Sequence, residues 1–90
     1  MPEKKYYVYL LLIENGSYYC GYTDDVQKRF QKHLSGKGAK FTRAHKPVEI
    51  AWQSEFDTKS EALKAEHKIK NLTHEQKRLL VEGQYNFALI

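Results

Sequence analysis

Apolar and aromatic side chains occupy both parities from Tyr6 to Ile13, which predicts a strand covered on both faces. Glu14-Asn15-Gly16-Ser17 is a hairpin signal, and Tyr18 to Tyr22 predicts a second strand returning antiparallel. Asp24 with Gln27 has capping-box spacing and opens a helix from about Asp25 to Leu34, closed by Ser35-Gly36. From Gly36 to Lys46 the chain is polar and basic with no sustained apolar period, so a loop is expected, ended by Pro47. Val48 to Ser54, with Ile50 and Trp52 in alternation, predicts a third strand. Thr58 with Glu61 and Thr73 with Gln76 cap two further helices, one running to about Asn71 and one stopped by Gly83.

The order β-β-α-β-α-α predicts an α+β fold: a small three-stranded, largely antiparallel sheet with helices packed on it. Residues 1–90 read as a single domain, with no internal repeat and no linker. The tail alternates at Tyr85, Phe87 and Leu89, and packing against the body is expected there in preference to an added edge strand. A chain of 90 residues hides only roughly 60 to 65% of its unfolded surface. The core is therefore thin, and a charge or hydroxyl placed in it requires a physical reason.

Composition narrows the class. Hydrophobic residues at 41% and charged residues at 29% describe a folded globular chain and exclude disorder. Fifteen Lys and Arg against eleven Asp and Glu leave a formal charge of +4, which favours polyanion partners. Cys20 is the single cysteine, so neither an internal disulfide nor a cysteine-built zinc site can form, and a reducing, cytoplasmic compartment is expected. The apolar run at Tyr6 to Ile13 is far shorter than the roughly 20 residues of a bilayer span and lacks a cleavage site, so no membrane association is expected.

Three features break the bland pattern. With Val26 at 0° on the first helix, Phe30 falls at about 40° and Leu34 at about 80°, which sets the buried arc; His33 at about −20° and Arg29 at about −60° sit on or beside it. His33 fits a partly buried histidine with satisfied hydrogen bonds, whereas a guanidinium at a core margin must find a carboxylate or a bound anion. On the second helix, with Ala62 at 0°, Glu66 falls at about 40°, inside the apolar arc. Two explanations stay open for it: an ion pair to Lys70 four residues on, or a hard, oxygen-liganded ion such as Mg²⁺. The third feature is the abundance of tyrosine, seven in all, with Tyr6, Tyr7, Tyr9, Tyr18 and Tyr19 on the first hairpin. Tyrosine in a sheet usually packs, yet a buried phenol needs a partner, and one held near a cation can accept a proton or orient water.

Other signals are weak. Gly36-Lys37-Gly38 lacks P-loop spacing, and His33, His45, His67 and His74 include no pair four apart on a helix as metal ligands.

Taken together these residues resemble the GIY-YIG nuclease superfamily, in particular its small stand-alone members. Tyr7-Val8-Tyr9 resembles the first tripeptide and Tyr19-Cys20-Gly21 the second, ten residues apart across the hairpin. Arg29 follows Gly21 by eight residues as the family arginine does, and His33 follows four later. Ser60 to Glu66 is similar to the helix bearing the family's metal-binding glutamate, which falls on Glu66, and the segment from Ser35 through Arg43 resembles the loop of the stand-alone members. The resemblance runs from Tyr6 to about Val81. It departs at the missing Gly-Ile of the first tripeptide, at Cys20 in place of isoleucine, and at Arg78 where many members carry asparagine.

The resemblance implies an endonuclease hydrolysing phosphodiester bonds with one divalent ion, Mg²⁺ or Mn²⁺, held by Glu66, and no organic cofactor. Arg29 would grip the phosphate, Tyr9 or Tyr19 would orient the attacking water or accept its proton, and His33 would assist. Lys37, Lys40, Arg43 and Lys46 would contact the backbone of the nucleic acid, DNA ahead of RNA, and target selection would come from substrate shape or a protein partner. Such a site demands that Tyr9 and Tyr19 share one face, so the hairpin must have a three- or five-residue loop or a bulge; a two-residue Asn15-Gly16 turn would separate them. The alternatives are a binding module with this fold and no turnover, and an adaptor acting through residues 85–90.

Overall fold

The structure, a computed structural model, describes residues 4–84. Its sheet has three antiparallel strands in the order β2-β1-β3: β1 is Tyr6–Ile13, β2 Tyr18–Thr23 and β3 Pro47–Phe56. The hairpin between β1 and β2 closes through the Ile13 N–H donating to Ser17 O (2.9 Å) and the Gly16 N–H donating to Ile13 O (2.8 Å). Gly16 sits at φ +87°, which only glycine adopts without strain, and Asn15 Oδ1 accepts from the Ser17 N–H at 3.0 Å. This is a three-residue turn, Glu14-Asn15-Gly16, of the kind that ends in a left-handed glycine. It sets Tyr9 opposite Gly21 and Leu11 opposite Tyr19, so both site phenols share a face, as the sequence demanded.

Helices cover both faces of the sheet. One core joins Val8, Leu10 and Cys20 to Ala62, Ala65 and Ile69 of α3 (Lys59–Lys70) and Leu80 of α4 (His74–Val81). The other joins Tyr9, Leu11 and Ile13 to Val26 of α1 (Val26–Leu34), with Tyr19, Phe30 and Ile50 packed against it. β1 thus has no solvated face, which is why its sequence is apolar throughout. Complete burial of Leu10, Leu11 and Ile69 contributes roughly 1.5 to 3 kcal/mol apiece. A register shift between Leu10 and Leu11 puts Ile50 in the α1 core and Trp52 beside the α3 core. The same-face alternation of these two residues expected from spacing is inverted by that irregularity.

Three local expectations change. The N-cap of α1 is Asp25, in extended conformation and accepting from the Lys28 N–H at 3.1 Å; Asp24 instead pairs with Lys4 at 3.0 Å. On α1 the buried residues are Val26 and His33, while Leu34 is 44% exposed, so the core-facing arc is rotated toward His33. Within the expected loop lies a short helix, α2 (Lys40–Ala44), whose Thr42 is buried. It carries no apolar period because tertiary contacts hold it. Pro47 opens β3 at the sheet edge, where its missing N–H costs nothing. Thr58 caps α3, and Thr73 with Gln76 forms the reciprocal capping box of α4. The tail at Tyr85, Phe87 and Leu89 lies outside the described residues. Among the described residues no helix is long and apolar enough to cross a membrane.

Candidate active site

α1, α2 and the two strands of the hairpin bring Tyr9, Tyr19, Arg29 and His33 together. Tyr9 points from the central strand toward α1 and is only 1% exposed; its hydroxyl is 2.9 Å from His33 Nε2. His33, equally buried, places Nδ1 2.7 Å from Thr42 Oγ1, and the Thr42 hydroxyl donates to Ala39 O at 2.9 Å. Because Thr42 has given its only proton to Ala39, it must accept from the His33 Nδ1–H. Nε2 is then the bare nitrogen, accepting from the Tyr9 hydroxyl. The result is a one-way chain from Tyr9 through His33 and Thr42 to the backbone of the loop.

The electrostatics agree with this tautomer. Burial, reinforced by the Arg29 charge, holds the His33 pKa down at about 4, so the imidazole is neutral at pH 7. Burial pushes the Tyr9 phenol up to about 12, with the Arg29 guanidinium beside it pulling the other way. Tyr9 therefore keeps its proton and has no access to bulk water. Tyr19 differs. It is half-buried, meets the His33 ring edge-on at 5.1 Å and stacks on Phe41 of α2 at 6.2 Å with planes 15° apart.

Two glycines make room for this cluster. A Cβ on Gly21, directly across the ladder from Tyr9, would lie 2.5 Å from the Tyr9 hydroxyl oxygen. One on Gly38 would overlap His33 Nδ1. The glycine that ends Tyr19-Cys20-Gly21 is thus the floor on which the first motif's tyrosine lies. Gly38, Thr42 and Phe41 lie in the segment that resembles the family loop, yet no sequence signal sets them beside the phenols and the imidazole. Thr42 and Phe41 stand in a polar segment without periodicity, and nothing local marks Gly38 as facing an imidazole.

Arg29 is half-buried and makes no salt bridge among the described residues. The structural ion pair left open by its spacing is absent there, and the side chain lines two adjoining surface grooves next to Tyr9. Lys37, Lys40, Arg43 and Lys46 are all exposed on α2 and its flanks, close in sequence to Thr42 and Phe41.

Glu66 stands apart from this cluster. α3 packs on the other face of the sheet, and the Glu66 carboxylate, 16% exposed, pairs with Lys70 at 3.7 Å. It nevertheless lies against β2, an edge strand: the Cys20 thiol contacts Glu66 O at 3.9 Å, and burial together with the Glu66 charge pushes that thiol up to about 12. Cys20 is the residue after Tyr19. No group of three or more His, Cys, Asp or Glu side chains converges among the described residues, so no zinc-type cage of several protein ligands forms there. A lone half-buried carboxylate does suit a hard ion that takes one protein oxygen and fills its shell with water and phosphate. Arg78 is held on the surface of α4 by Glu75 and Glu82.

Comparison with known proteins identifies the family. A UPF0213 protein of Cupriavidus necator is 55% identical over 76 residues, covering 84% of this chain and 83% of that one. A UPF0213 protein of Staphylococcus saprophyticus is 46% identical over 88% of this chain and 98% of its own. The solution NMR structure of a UPF0213 protein from Bacillus halodurans is similar at 44% identity with a TM-score of 0.56, covering 87% of this chain and 83% of that chain. That of a protein from E. faecalis gives 40% identity and a TM-score of 0.60 over 97% and 90% of the two chains. The model of the GIY-YIG catalytic domain matches residues 5–79, and the chain belongs to that family.

Proposed function

We infer that this protein is a nuclease that hydrolyses phosphodiester bonds of nucleic acid, DNA in the first instance, with one divalent cation. The observation that carries this reading is Arg29: a half-buried guanidinium that makes no salt bridge among the described residues, lies beside the Tyr9 phenol and opens onto a surface groove. A planar fork so placed suits a phosphate.

Arg29 would grip the scissile phosphate and offset the charge that grows on it. Tyr19, the phenol within reach of solvent, would orient the attacking water and receive its proton. Tyr9 and neutral His33 are positioning residues that fix the wall on which Tyr19 and α2 rest. The exposed cations of α2 would hold the backbone without reading bases. Glu66 would hold Mg²⁺ or Mn²⁺, which neutralises charge on the attacked phosphate and eases departure of the leaving oxygen. Its contact with Lys70, half-exposed and 3.7 Å long, is weak enough to yield to such an ion. Because β2 is an edge strand, both faces of the sheet open onto the rim beside Tyr19 and Cys20.

A second reading, a binding module without turnover, is favoured by the same Glu66 to Lys70 pair on the far face of the sheet. One assay separates them. Purified protein is incubated with labelled duplex, branched and single-stranded substrates, with and without Mg²⁺ or Mn²⁺. Metal-dependent cleavage lost in Glu66→Ala and Arg29→Ala, with binding retained in Glu66→Ala, supports the nuclease. Binding without cleavage in any metal would leave only the module.

A further inference from the structure

We propose a second nucleic-acid contact, resting on the nuclease reading above: the groove that runs from Arg29 across the sheet end to α3 seats the phosphodiester backbone flanking the scissile bond. The groove has a volume of about 490 Å³, within the roughly 300 to 1,000 Å³ of ordinary ligand sites. Arg29 and Lys32 of α1 form one wall, and Lys59, the first residue of α3, forms another. Between them lie Tyr6, at the start of β1, and Tyr22, near the end of β2.

Charge decides what such a groove accepts. Lys4 is paired with Asp24 at 3.0 Å, and that pair raises the lysine and lowers the carboxyl, so the two largely cancel. Arg29, Lys32 and Lys59 make no salt bridge among the described residues. Three uncompensated cations thus converge where two phenols offer neutral donors. A smaller groove beside the same Arg29 and Lys32 adds Lys28 and Asp25, whose charges offset one another, so the excess of positive charge rests on Arg29, Lys32 and Lys59. α1 and α3 pack on opposite faces of the sheet, so a strand lying here passes from the face of Arg29 to the helix that bears Glu66. The cations on α2 lie on separate elements, which makes this contact distinct from theirs.

The test is fluorescence anisotropy over a salt series with a labelled DNA hairpin carrying a single-stranded arm, comparing wild type with Lys32→Gln/Lys59→Gln. Both side chains are exposed and outside the proposed catalytic set. The expected result is weaker binding and a log K against log salt slope shallower by about 1.8, two duplex phosphates at roughly 0.9 each. An unaltered slope in the double variant overturns the groove contact while the nuclease reading stands. No binding or cleavage by the wild type overturns both. If circular dichroism shows the double variant misfolded, the single variants Lys32→Gln and Lys59→Gln replace it, each expected to flatten the slope by about 0.9.

Discussion

The Tyr9 ring lies over Gly21, its cross-strand partner, so closely that a methyl group at position 21 would sit 2.5 Å from the phenol oxygen. The pairing explains why the position opposite Tyr9 across the turn takes a glycine. The ring covers the bare backbone of Gly21, and the bare backbone lets the hydroxyl reach His33.

Gly21→Ala is therefore expected to displace Tyr9 or bend β2, destabilising the fold by about 1 to 3 kcal/mol as overpacking does. Urea unfolding would show it as a lower midpoint. A midpoint matching wild type would mean that the ring moves aside at no cost.

Acid should loosen the protein through His33. In the unfolded chain this imidazole takes its proton at about 6.5, but in the folded chain only at about 4. Between those values the unfolded state binds more protons, so the stability present above about pH 6.5 is progressively lost as pH falls toward 4. His33→Gln keeps an amide donor and acceptor and cannot titrate. Denaturant midpoints measured from pH 7 to pH 4 should fall less steeply in that variant than in wild type.

The two phenols should separate on substitution. Tyr9→Phe leaves a bare His33 Nε2 buried without a donor and costs about 1 to 3 kcal/mol of stability. Tyr19→Phe keeps its stack on Phe41 and should change stability by less than about 0.5 kcal/mol. If Tyr19 handles the proton, that variant loses roughly 100-fold or more in turnover. Parallel melting and single-turnover cleavage would expose a reversed pattern, with Tyr19→Phe unstable and active.

Thr42→Val preserves shape but removes the acceptor for the His33 Nδ1–H and the donor to Ala39 O. A loss of about 1 to 3 kcal/mol is expected. Since Thr42 joins α2 to the core, hydrogen exchange should accelerate over residues 38–46 before it does in β1.

Much of this arrangement is legible in the chain itself. The shared face of Tyr9 and Tyr19 follows from side-chain alternation once a common site is required, and Thr58 and Thr73 announce their helices because capping is local chemistry. Long-range contacts carry the rest. Leu34 outranks His33 in hydropathy, yet the core takes His33, because Tyr9 and Thr42 satisfy both ring nitrogens. α2 exists through Thr42 meeting His33 and Phe41 meeting Tyr19, neither visible from neighbouring residues. The apolar arc of α3 does hold Glu66, which is half-buried, but no helical angle shows on which side of the sheet its neighbours lie.

The three-residue turn at Glu14-Asn15-Gly16 has a consequence for how this hairpin can vary. Sliding β2 by one residue against β1 would send the Tyr19 ring toward α3 and the Cys20 sulfur toward α1, exchanging the contents of the two cores at a stroke. A residue added at the tip escapes this by enlarging the loop while Leu11 stays opposite Tyr19. Insertions there should therefore be absorbed outside the ladder, and the cross-strand contact of Tyr9 with Gly21 should persist in every variant that folds.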